Sequence, residues 1–254
     1  SNTGVGMVRL NSTRRVEDLV LHYAPGVVTV GGRIQSGVIG PGCTNECYED
    51  CRELAQFCID SKLPLVIDAG ALDLVRSLVD YADAHSRSLS RTILTPHHGE
   101  AARLLTQLGS PRSRADIDAD PATSAKELAS LTGAIILLKS STTLCSYLRH
   151  EQGNRRQEIL SIPQETPWAG VAGSGDVLAG TVAGIAAGFQ ARAERRQGNP
   201  SISESECTTL ASLGAWVHAQ AALRASVGSE GKARPIQAID IARALPEIIG
   251  GLCS

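Results

Sequence analysis

The strongest constraint on the fold is a repeated succession of short apolar runs and longer segments with helical periodicity. The predicted strands are Val27–Val30, Gln35–Ile39, Leu63–Ile67, Thr92–Leu94 and Ala134–Leu138. The predicted helices are Thr44–Ser61, Leu72–Tyr81, Gly99–Leu108, Ala122–Leu131, Ser174–Gln190, Thr208–Ser226 and Ile236–Ala244. Strands that alternate with helices form parallel sheets covered on both faces. The pattern therefore predicts one α/β domain over residues 1–254, with a mainly parallel central sheet.

Three segments depart from this alternation. Thr143–Arg149 and Ile159–Ile162 flank a polar turn around Gln152-Gly153-Asn154, which predicts a β-hairpin that adds an antiparallel component to the sheet. The segment Gly109–Pro121 is rich in Arg, Ser and Asp, and we expect it to be an exposed loop. No structural element is evident before Val27.

Composition excludes several classes of protein. The 254 residues carry 24 Lys and Arg against 26 Asp and Glu, with no block of like charge, which argues against a nucleic-acid binder that relies on a basic surface. The longest stretch without a charge or a strongly polar side chain, Val177–Phe189, has 13 residues. A membrane-spanning helix needs roughly 20, so no membrane association is expected. No signal peptide is evident, and a cytoplasmic location is the expectation.

Seven cysteines are an odd number for a chain of this size, which argues against a complete disulfide framework. Cys43, Cys47 and Cys51 recur every four residues and would lie along one face of a helix. A metal site is one interpretation of that row. The spacing differs from the short gaps of thiolate zinc sites and no fourth ligand is evident nearby, so inert buried cysteines are the favoured interpretation.

Four loops are predicted to be strand exits, and each is enriched in Gly, hydroxyl groups or ionisable groups. They are Gly40-Pro41-Gly42, Thr95–Glu100, Lys139–Thr143 and Ala172–Asp176. In an open parallel sheet, ligands bind at the loops beyond the carboxyl ends of the strands. The four loops are therefore the candidate site.

The segment Ala172-Gly173-Ser174-Gly175-Asp176 opens a long apolar helix. Its glycines permit close approach of the backbone to a ligand, and the unpaired N–H groups of a helix start suit phosphate. A carboxylate at Asp176 could take a proton from a hydroxyl beside a transferring phosphoryl group. The alternative is that Ser174 and Asp176 merely cap the helix.

The loop Thr95–Glu100 contains Pro96, which ends the strand, and Gly99, which permits a turn into the helix. His97 could donate to a carbonyl or phosphate group, and Glu100 could hold a water molecule bound to Mg²⁺. Adjacent histidines are a weak signal, and an ordinary surface position is the alternative for His97 and His98. The same alternative applies to His22, His85, His150 and His218.

The third loop combines one cation with a row of hydroxyl groups: Lys139, Ser140, Ser141, Thr142 and Thr143. Such a set suits the phosphate or ribose of a nucleotide, whereas a polar β-turn is the alternative.

At these residues the chain resembles the bacterial ADP-dependent NAD(P)H-hydrate dehydratases, a branch of the ribokinase-like superfamily. The matching segments, in family order, are Gly40-Pro41-Gly42, Val66-Ile67-Asp68-Ala69, Thr95–Glu100, Leu138-Lys139 with Thr143, and Ala172–Gly180. The resemblance covers roughly residues 4–250 and implies a three-layer α/β/α fold with a mainly parallel sheet. The Thr95–Glu100 block points to this branch rather than to the sugar kinases.

The resemblance implies a repair reaction in which ADP phosphorylates the extra hydroxyl of hydrated NADH or NADPH. Phosphate then leaves, which gives AMP, phosphate and NAD(P)H. Carried over by position, Asp176 is the base beside the hydrate, and Gly175 lies against the adenine nucleotide with Lys139, Ser140, Ser141, Thr142 and Thr143. Gly42 and His97 contact the hydrated dinucleotide, and Glu100 belongs to a Mg²⁺–water network. A homotetramer and a separate NAD(P)H-hydrate epimerase as functional partner are also implied.

The chain departs from the family pattern at several positions. Ser140 replaces a usual Gly, Cys43-Thr44 replaces Leu-Gly, and His98 stands where Pro is common. The family's first strand and helix have no counterpart, so an amino-terminally truncated domain is expected. Two alternative functions follow: a small-molecule kinase of the same superfamily, for a vitamin precursor or a sugar, and an inactive nucleotide-binding or assembly protein.

Overall fold

The computed structural model describes residues 2–151, 154–196, 201–227 and 231–252. The strands are β1 (Val8–Arg9), β2 (Val27–Val28), β3 (Gly37–Ile39), β4 (Leu65–Ile67), β5 (Thr92–Leu94), β6 (Ile135–Leu138), β7 (Thr142–Glu151) and β8 (Asn154–Pro163). The helices are α1 (Arg14–Tyr23), α2 (Tyr48–Asp60), α3 (Val75–Ala84), α4 (His98–Gln107), α5 (Arg114–Ala119), α6 (Pro121–Thr132), α7 (Ser174–Ala193), α8 (Glu204–Ser226) and α9 (Ala238–Leu252). Short 3-10 helices cover Asn45–Cys47, Ala69–Leu74 and Pro167–Ala169.

Six strands form the central sheet in the order β3-β4-β5-β6-β7-β8. The first four are parallel, with Val38 opposite Val66 and Val66 opposite Ile93. β7 and β8 complete the sheet as an antiparallel hairpin, which confirms the predicted hairpin and the mainly parallel sheet. The central residues of its predicted turn, 152–153, lie outside the described residues. Because β3 to β6 are parallel, their carboxyl ends meet at one edge of the sheet.

Successive residues of the central strands face opposite layers of helices. Ile136 and Leu138 belong to a core shared with α2, α3, α4, α5 and α6. Ile135 and Leu137 belong to a second core shared with α7, α8 and α9. Full burial of a Leu or Ile side chain stabilises the fold by about 1.5–3 kcal/mol. Burial on both faces explains why these strands are continuously apolar in sequence, and it defines three layers.

The expectation of an exposed loop over Gly109–Pro121 is wrong, because the segment contains α5. Ser113 and Asp116 form a capping box: the Ser113 hydroxyl accepts from the Asp116 amide, and the Asp116 carboxylate accepts from the Ser113 amide. Ile117 is fully buried in the first core. A single anchoring residue in a polar stretch was too weak a pattern to show a helix of six residues.

Before the predicted strand Val27–Val30, of which the structure confirms Val27–Val28 as β2, lie β1 and α1, which were not predicted from the sequence. β1 pairs with β2 in a separate parallel pair, with Val8 opposite Val27, and α1 connects the two strands. α1 has no buried residue, and Leu19 and Tyr23 are 64% and 68% exposed. The apolar residues of α1 therefore gain little burial within the described chain.

None of the helices in the described part of the chain is long and apolar enough to cross a membrane.

Candidate active site

The loops after the parallel strands are joined to one another beyond the ends of the strands. The amide of Asp68, after β4, donates to the carbonyl of Ile39 in β3 at 3.1 Å. The amide of Lys139, after β6, donates to the carbonyl of Pro96, after β5, at 2.8 Å, and Lys139 forms an isolated parallel bridge with His97. The sheet thus extends its hydrogen bonding into the loops and fixes their relative positions.

Lys139 lies between two carboxylates at this edge. Its Nζ donates to Asp68 Oδ1 at 2.6 Å and lies 3.9 Å from Glu100 Oε2. Asp68 is 1% exposed, so the ion pair is largely removed from water. Lys139 was predicted to belong to the site, whereas Asp68 was not assigned a role. Its position directly after a predicted strand was the signal that could have identified it.

The start of α7 lies against this ion pair. A Cβ atom at Gly175 would lie 3.1 Å from Lys139 Nζ and 3.6 Å from Asp68 Oδ2, closer to the ammonium group than an ordinary contact. Gly175 and Lys139, which are 36 positions apart in the sequence, are therefore brought together. Only a residue without a side chain leaves the Lys139 ammonium group uncrowded.

Asp176 occupies the first turn of α7 and remains accessible to solvent. The protein around its carboxylate still removes part of its hydration, and this desolvation raises the pKa of Asp176 above the ordinary value. The negative charge of Asp68 raises that pKa further, whereas the positive charge of Lys139 opposes the shift. A carboxylate with a raised pKa is a better proton acceptor than a free aspartate, which suits a general base.

The helix N-terminus itself is available to an anion. Gly173 precedes α7 with a φ of +84°, a left-handed conformation that favours glycine. No side chain within the described residues caps this turn. The first N–H groups of a helix have no intrahelical acceptor, so this turn presents donors beside Lys139.

His97 and Glu100 form the capping box that begins α4. The amide of His97 donates to Glu100 Oε2 at 2.8 Å, and the amide of Glu100 donates to His97 Nδ1 at 3.1 Å. The side chain of His97 is 60% exposed, so its ring is accessible from the same edge of the sheet, whereas Glu100 is buried. The carboxylate of Glu100 therefore orders the loop and lies beside Lys139 at the same time.

The hydroxyl row after Lys139 divides into two parts. Thr142 and Thr143 begin β7, and Thr143 is 2% exposed, with its Oγ1 accepting from Gln164 Nε2 at 3.4 Å. Ser140 is half-buried and Ser141 is exposed, and both lie in the turn between β6 and β7. All four residues follow Lys139 in the sequence, and the structure commits the Thr143 hydroxyl to a protein partner.

The loop after β3 depends on two glycines. Gly40 has a φ of +112°, and a Cβ atom there would lie 1.7 Å from the carbonyl oxygen of Asp68, which no side chain permits. Gly42 has a φ of +69° and is exposed, with no atom within 4 Å of the position that a Cβ would take. The absence of a side chain at Gly40 therefore lets the loop pack directly against the backbone of Asp68, while Gly42 is accessible to a ligand.

The cysteine row is half-buried rather than buried as the favoured interpretation expected, since Cys43, Cys47 and Cys51 are all partly exposed. Cys43 Sγ lies 3.5 Å from Cys51 Sγ, and desolvation raises the pKa of Cys51 to about 12. In the described ranges no three side chains of the metal-binding types come together. The six cysteines within those ranges are free thiols.

His218 is not a surface histidine, contrary to one interpretation of the sequence. It is 4% exposed, and its Nε2 lies 3.2 Å from Ser174 Oγ. Burial lowers the pKa of His218 to about 4, so the ring is neutral near pH 7. Nothing in the sequence near His218 indicates that α8 would bring it behind the start of α7.

The three layers and the strand-exit site define the class: the protein has the ribokinase-like fold. A ribokinase-like superfamily protein from Enterococcus faecalis matches with a TM-score of 0.61 and 19% identity, over 98% of this chain and 78% of that one. An ADP/ATP-dependent NAD(P)H-hydrate dehydratase from Bacillus subtilis, co-crystallised with ATP and Mg²⁺, matches with a TM-score of 0.67 and 18% identity, over 98% of this chain and 83% of that one. At these identities the likeness concerns the fold alone.

Within this class, the family model for NAD(P)H-hydrate dehydratase matches residues 2–245, and the chain belongs to that family. It is 33% identical over 187 residues to the bifunctional NAD(P)H-hydrate repair enzyme Nnr of Mycobacterium tuberculosis, which covers 72% of this chain and 35% of that protein. It is 32% identical over 163 residues to the ADP-dependent (S)-NAD(P)H-hydrate dehydratase of Neisseria meningitidis, over 63% of this chain and 44% of that protein. The chain thus matches less than half the length of these relatives.

Proposed function

We propose that the protein is an ADP-dependent (S)-NAD(P)H-hydrate dehydratase. The hydroxyl of the hydrated nicotinamide ring attacks the β-phosphorus of ADP, and the bond from that phosphorus to the AMP oxygen breaks. The ring C–O bond then breaks, a ring proton is lost, and phosphate leaves with the bonding electrons, which restores the double bond. The observation that carries the proposal is the placement of Gly175 against the Lys139–Asp68 ion pair, with Asp176 next to it in the first turn of α7, in a chain of this family.

Asp176 takes the proton of the attacking hydroxyl in this proposal. Its raised pKa, caused first by desolvation and then by Asp68, supports this assignment because proton acceptance improves as the pKa approaches the working pH. Its place in the first turn of α7 puts the base beside the N–H groups that would face the phosphoryl group. Base and anion site thus belong to the same turn.

The nucleotide lies on the Lys139 side of α7. Lys139 offsets the negative charge of the phosphate groups, and Gly175 leaves room for them next to the ammonium group. Ser140, Ser141 and Thr142 supply hydroxyl groups along the exit of β6, and Thr143 supports that turn through Gln164. Asp68 holds Lys139 in place and raises the pKa of Asp176.

The hydrated dinucleotide lies on the other side of α7 from the nucleotide, against Gly42 and the exposed ring of His97.

The residues beside Lys139 fit a Mg²⁺ ion. Mg²⁺ is usually bound by one or two carboxylates together with phosphate oxygens and water, and Glu100 is a buried carboxylate beside Lys139. Glu100 would hold the ion through water. When bound, the ion offsets phosphate charge.

Partners and location follow only from the resemblance. We infer that an NAD(P)H-hydrate epimerase is a functional partner, which the bifunctional relatives support by their names. We also infer a homotetramer in the cytoplasm.

The experiment is incubation of the purified protein with hydrated NADH or NADPH, Mg²⁺ and either ADP or ATP. A dehydratase restores the absorbance of reduced nicotinamide and releases one phosphate per molecule repaired. A kinase of the same superfamily accumulates a stable phosphoester, tested with a panel of sugars and vitamin precursors. An inactive nucleotide-binding protein binds ADP, measured by calorimetry, without turnover. Either of the last two results rejects the proposal.

A further inference from the structure

A buried histidine of α8 lies directly behind the start of α7. His218 is 4% exposed and Ser174 is 7% exposed. The Nε2 atom of His218 lies 3.2 Å from the Oγ atom of Ser174. Ser174 is the first residue of α7 and directly precedes Gly175 and Asp176. Through this contact α8 reaches the turn on which the proposed reaction depends.

The first turn of α7 has no side-chain cap in the described residues, unlike the first turns of α4 and α8. α8 follows Ser203, whose Oγ accepts from the amide of Glu206, and α4 follows His97, which caps it in the same way. α7 follows Gly173, which has no side chain, and no other side chain in the described ranges caps its first turn. The Ser174 hydroxyl is held from outside the helix instead, by His218.

The ring of His218 has unused hydrogen-bonding capacity. Its Nδ1 is buried and has no hydrogen-bond partner among the residues that the structure describes. A buried polar atom without a partner costs free energy, so apolar packing does not explain a histidine here. The contact with Ser174 is the specific interaction that the ring contributes.

The charge state of the ring suits a position behind an anion site. Burial lowers the pKa of His218 to about 4, and the positive charge of Lys139 lowers it as well. The neutral ring can hold the Ser174 hydroxyl without competing with Lys139 for a phosphate group.

We propose that His218 is a positioning residue that fixes the first turn of α7 through the Ser174 hydroxyl. The hydrogen bond holds the amides of Gly175 and Asp176 toward the nucleotide phosphate and the Asp176 carboxylate toward the substrate hydroxyl. Small displacements of a reacting group slow a reaction severely, because the reacting atoms must meet at a defined distance and angle. The inference deepens the proposed function and rests on it for the role of Asp176.

The test compares His218→Phe, which keeps a ring but loses both nitrogens, with His218→Gln, whose amide can reach Ser174. In His218→Phe we expect MgADP affinity to fall about 3- to 10-fold, the range for loss of one hydrogen bond. Hydrogen exchange at the amides of residues 174–177 should accelerate. The kcat should fall about 10- to 100-fold, as for a misplaced reacting group, while the KM for the hydrate stays unchanged. His218→Gln should recover most of each loss.

Two further variants separate positioning from general stability. Ser174→Ala should reproduce the effects of His218→Phe, and the double variant should lose no more than either alone, because both remove the same hydrogen bond. Val217→Ala is the matched control: Val217 is the neighbouring residue of α8, is fully buried and faces the second core. It should lower Tm while leaving MgADP affinity and exchange at residues 174–177 as in the wild type.

The inference is overturned if His218→Phe matches the wild type in MgADP affinity and amide exchange. It is equally overturned if Val217→Ala produces the same losses, since His218 would then act only through stability. Both measurements are made without turnover. A wild-type protein that fails to repair hydrated NAD(P)H therefore rejects the proposed function, while affinity and exchange still decide whether His218 positions the helix start.

Discussion

At the scale of single residues, Asp176 is assigned the proton transfer. Asp176→Asn keeps the size of the side chain but cannot accept the proton, so turnover should fall about 10²- to 10⁴-fold while MgADP affinity is retained. Calorimetry and the absorbance of reduced nicotinamide measure the two quantities. Asp80→Asn, a change to a carboxylate on the exposed face of α3, is the control and should leave both unchanged. Wild-type turnover in Asp176→Asn would leave Asp176 as a helix-start residue only.

Asp68 and Lys139 shift the pKa of Asp176 in opposite directions, so replacing them should shift the pH dependence of activity in opposite directions. Asp68 raises the pKa of Asp176 and Lys139 lowers it. A base must be ionised to act, so activity is lost as the pH falls through its pKa. Asp68→Asn should therefore move the acid limb of kcat/KM to lower pH, and Lys139→Ala should move it to higher pH. Shifts in the same direction would show that another group produces the limb.

Lys139 also contributes to the stability of the fold and to ADP binding, and the two contributions can be measured separately. Lys139→Ala leaves the Asp68 carboxylate buried without its partner, which should lower the free energy of unfolding by about 3–5 kcal/mol. The double variant Asp68→Asn, Lys139→Ala should recover part of this loss in denaturant titrations. Neither variant should regain ADP affinity, whereas affinity for NAD(P)H should fall less. Equal losses for both ligands would place Lys139 between the two binding regions or give it a structural role.

At the scale of elements, alanine substitutions at the two glycines after β3 provide a matched test of how the β3 loop contacts the Asp68 segment. Gly40→Ala places a Cβ in the position of the Asp68 carbonyl and should displace the loops of β3 and β4 together, with loss of dinucleotide binding and a lower Tm. Gly42→Ala meets no atom and should cost only the strain of a left-handed residue, about 1 kcal/mol. Thermal unfolding and NAD(P)H titration compare them. Equal effects on Tm would contradict the close contact with Asp68.

The elements also show how far the sequence determines the fold. Leu63–Ile67 and Ala134–Leu138 are predictable because strands buried on both faces are apolar throughout. The loop after Ala134–Leu138, with Lys139, was predictable from topology, since parallel strands end at one edge. The prediction that Ala172–Asp176 also directly follows a strand is wrong, because a 3-10 helix over Pro167–Ala169 precedes it and Gly175 lies in the first turn of α7. α5 and the burial of His218 were not, because each depends on packing between distant segments. Asp68 directly follows a predicted strand, which marked it as a candidate, but its contact with Lys139 joins two loops that are 71 positions apart in the sequence.

At the scale of the whole molecule, stability should be distributed unevenly. The strands β4, β5 and β6 are enclosed by two cores, whereas the α1 unit, residues 8–28, contains no buried residue in its helix. Local opening is easiest where few apolar groups are buried. Amides of α1 should therefore exchange hydrogen far faster than those of β4, β5 and β6.

Two leucines test the same distribution by mutation. Leu19 in α1 is 64% exposed, and Leu104 in α4 is 1% exposed within the first core. Leu104→Ala should lower the free energy of unfolding by about 2–5 kcal/mol, because it removes buried contacts and leaves a cavity. Leu19→Ala should change it by no more than about 0.5 kcal/mol, as surface substitutions do. Denaturant unfolding at several protein concentrations measures both. A cost for Leu19→Ala that approaches that of Leu104→Ala and grows with concentration would show that α1 is covered by a second copy of the chain, and the uneven distribution would then hold for the isolated subunit only.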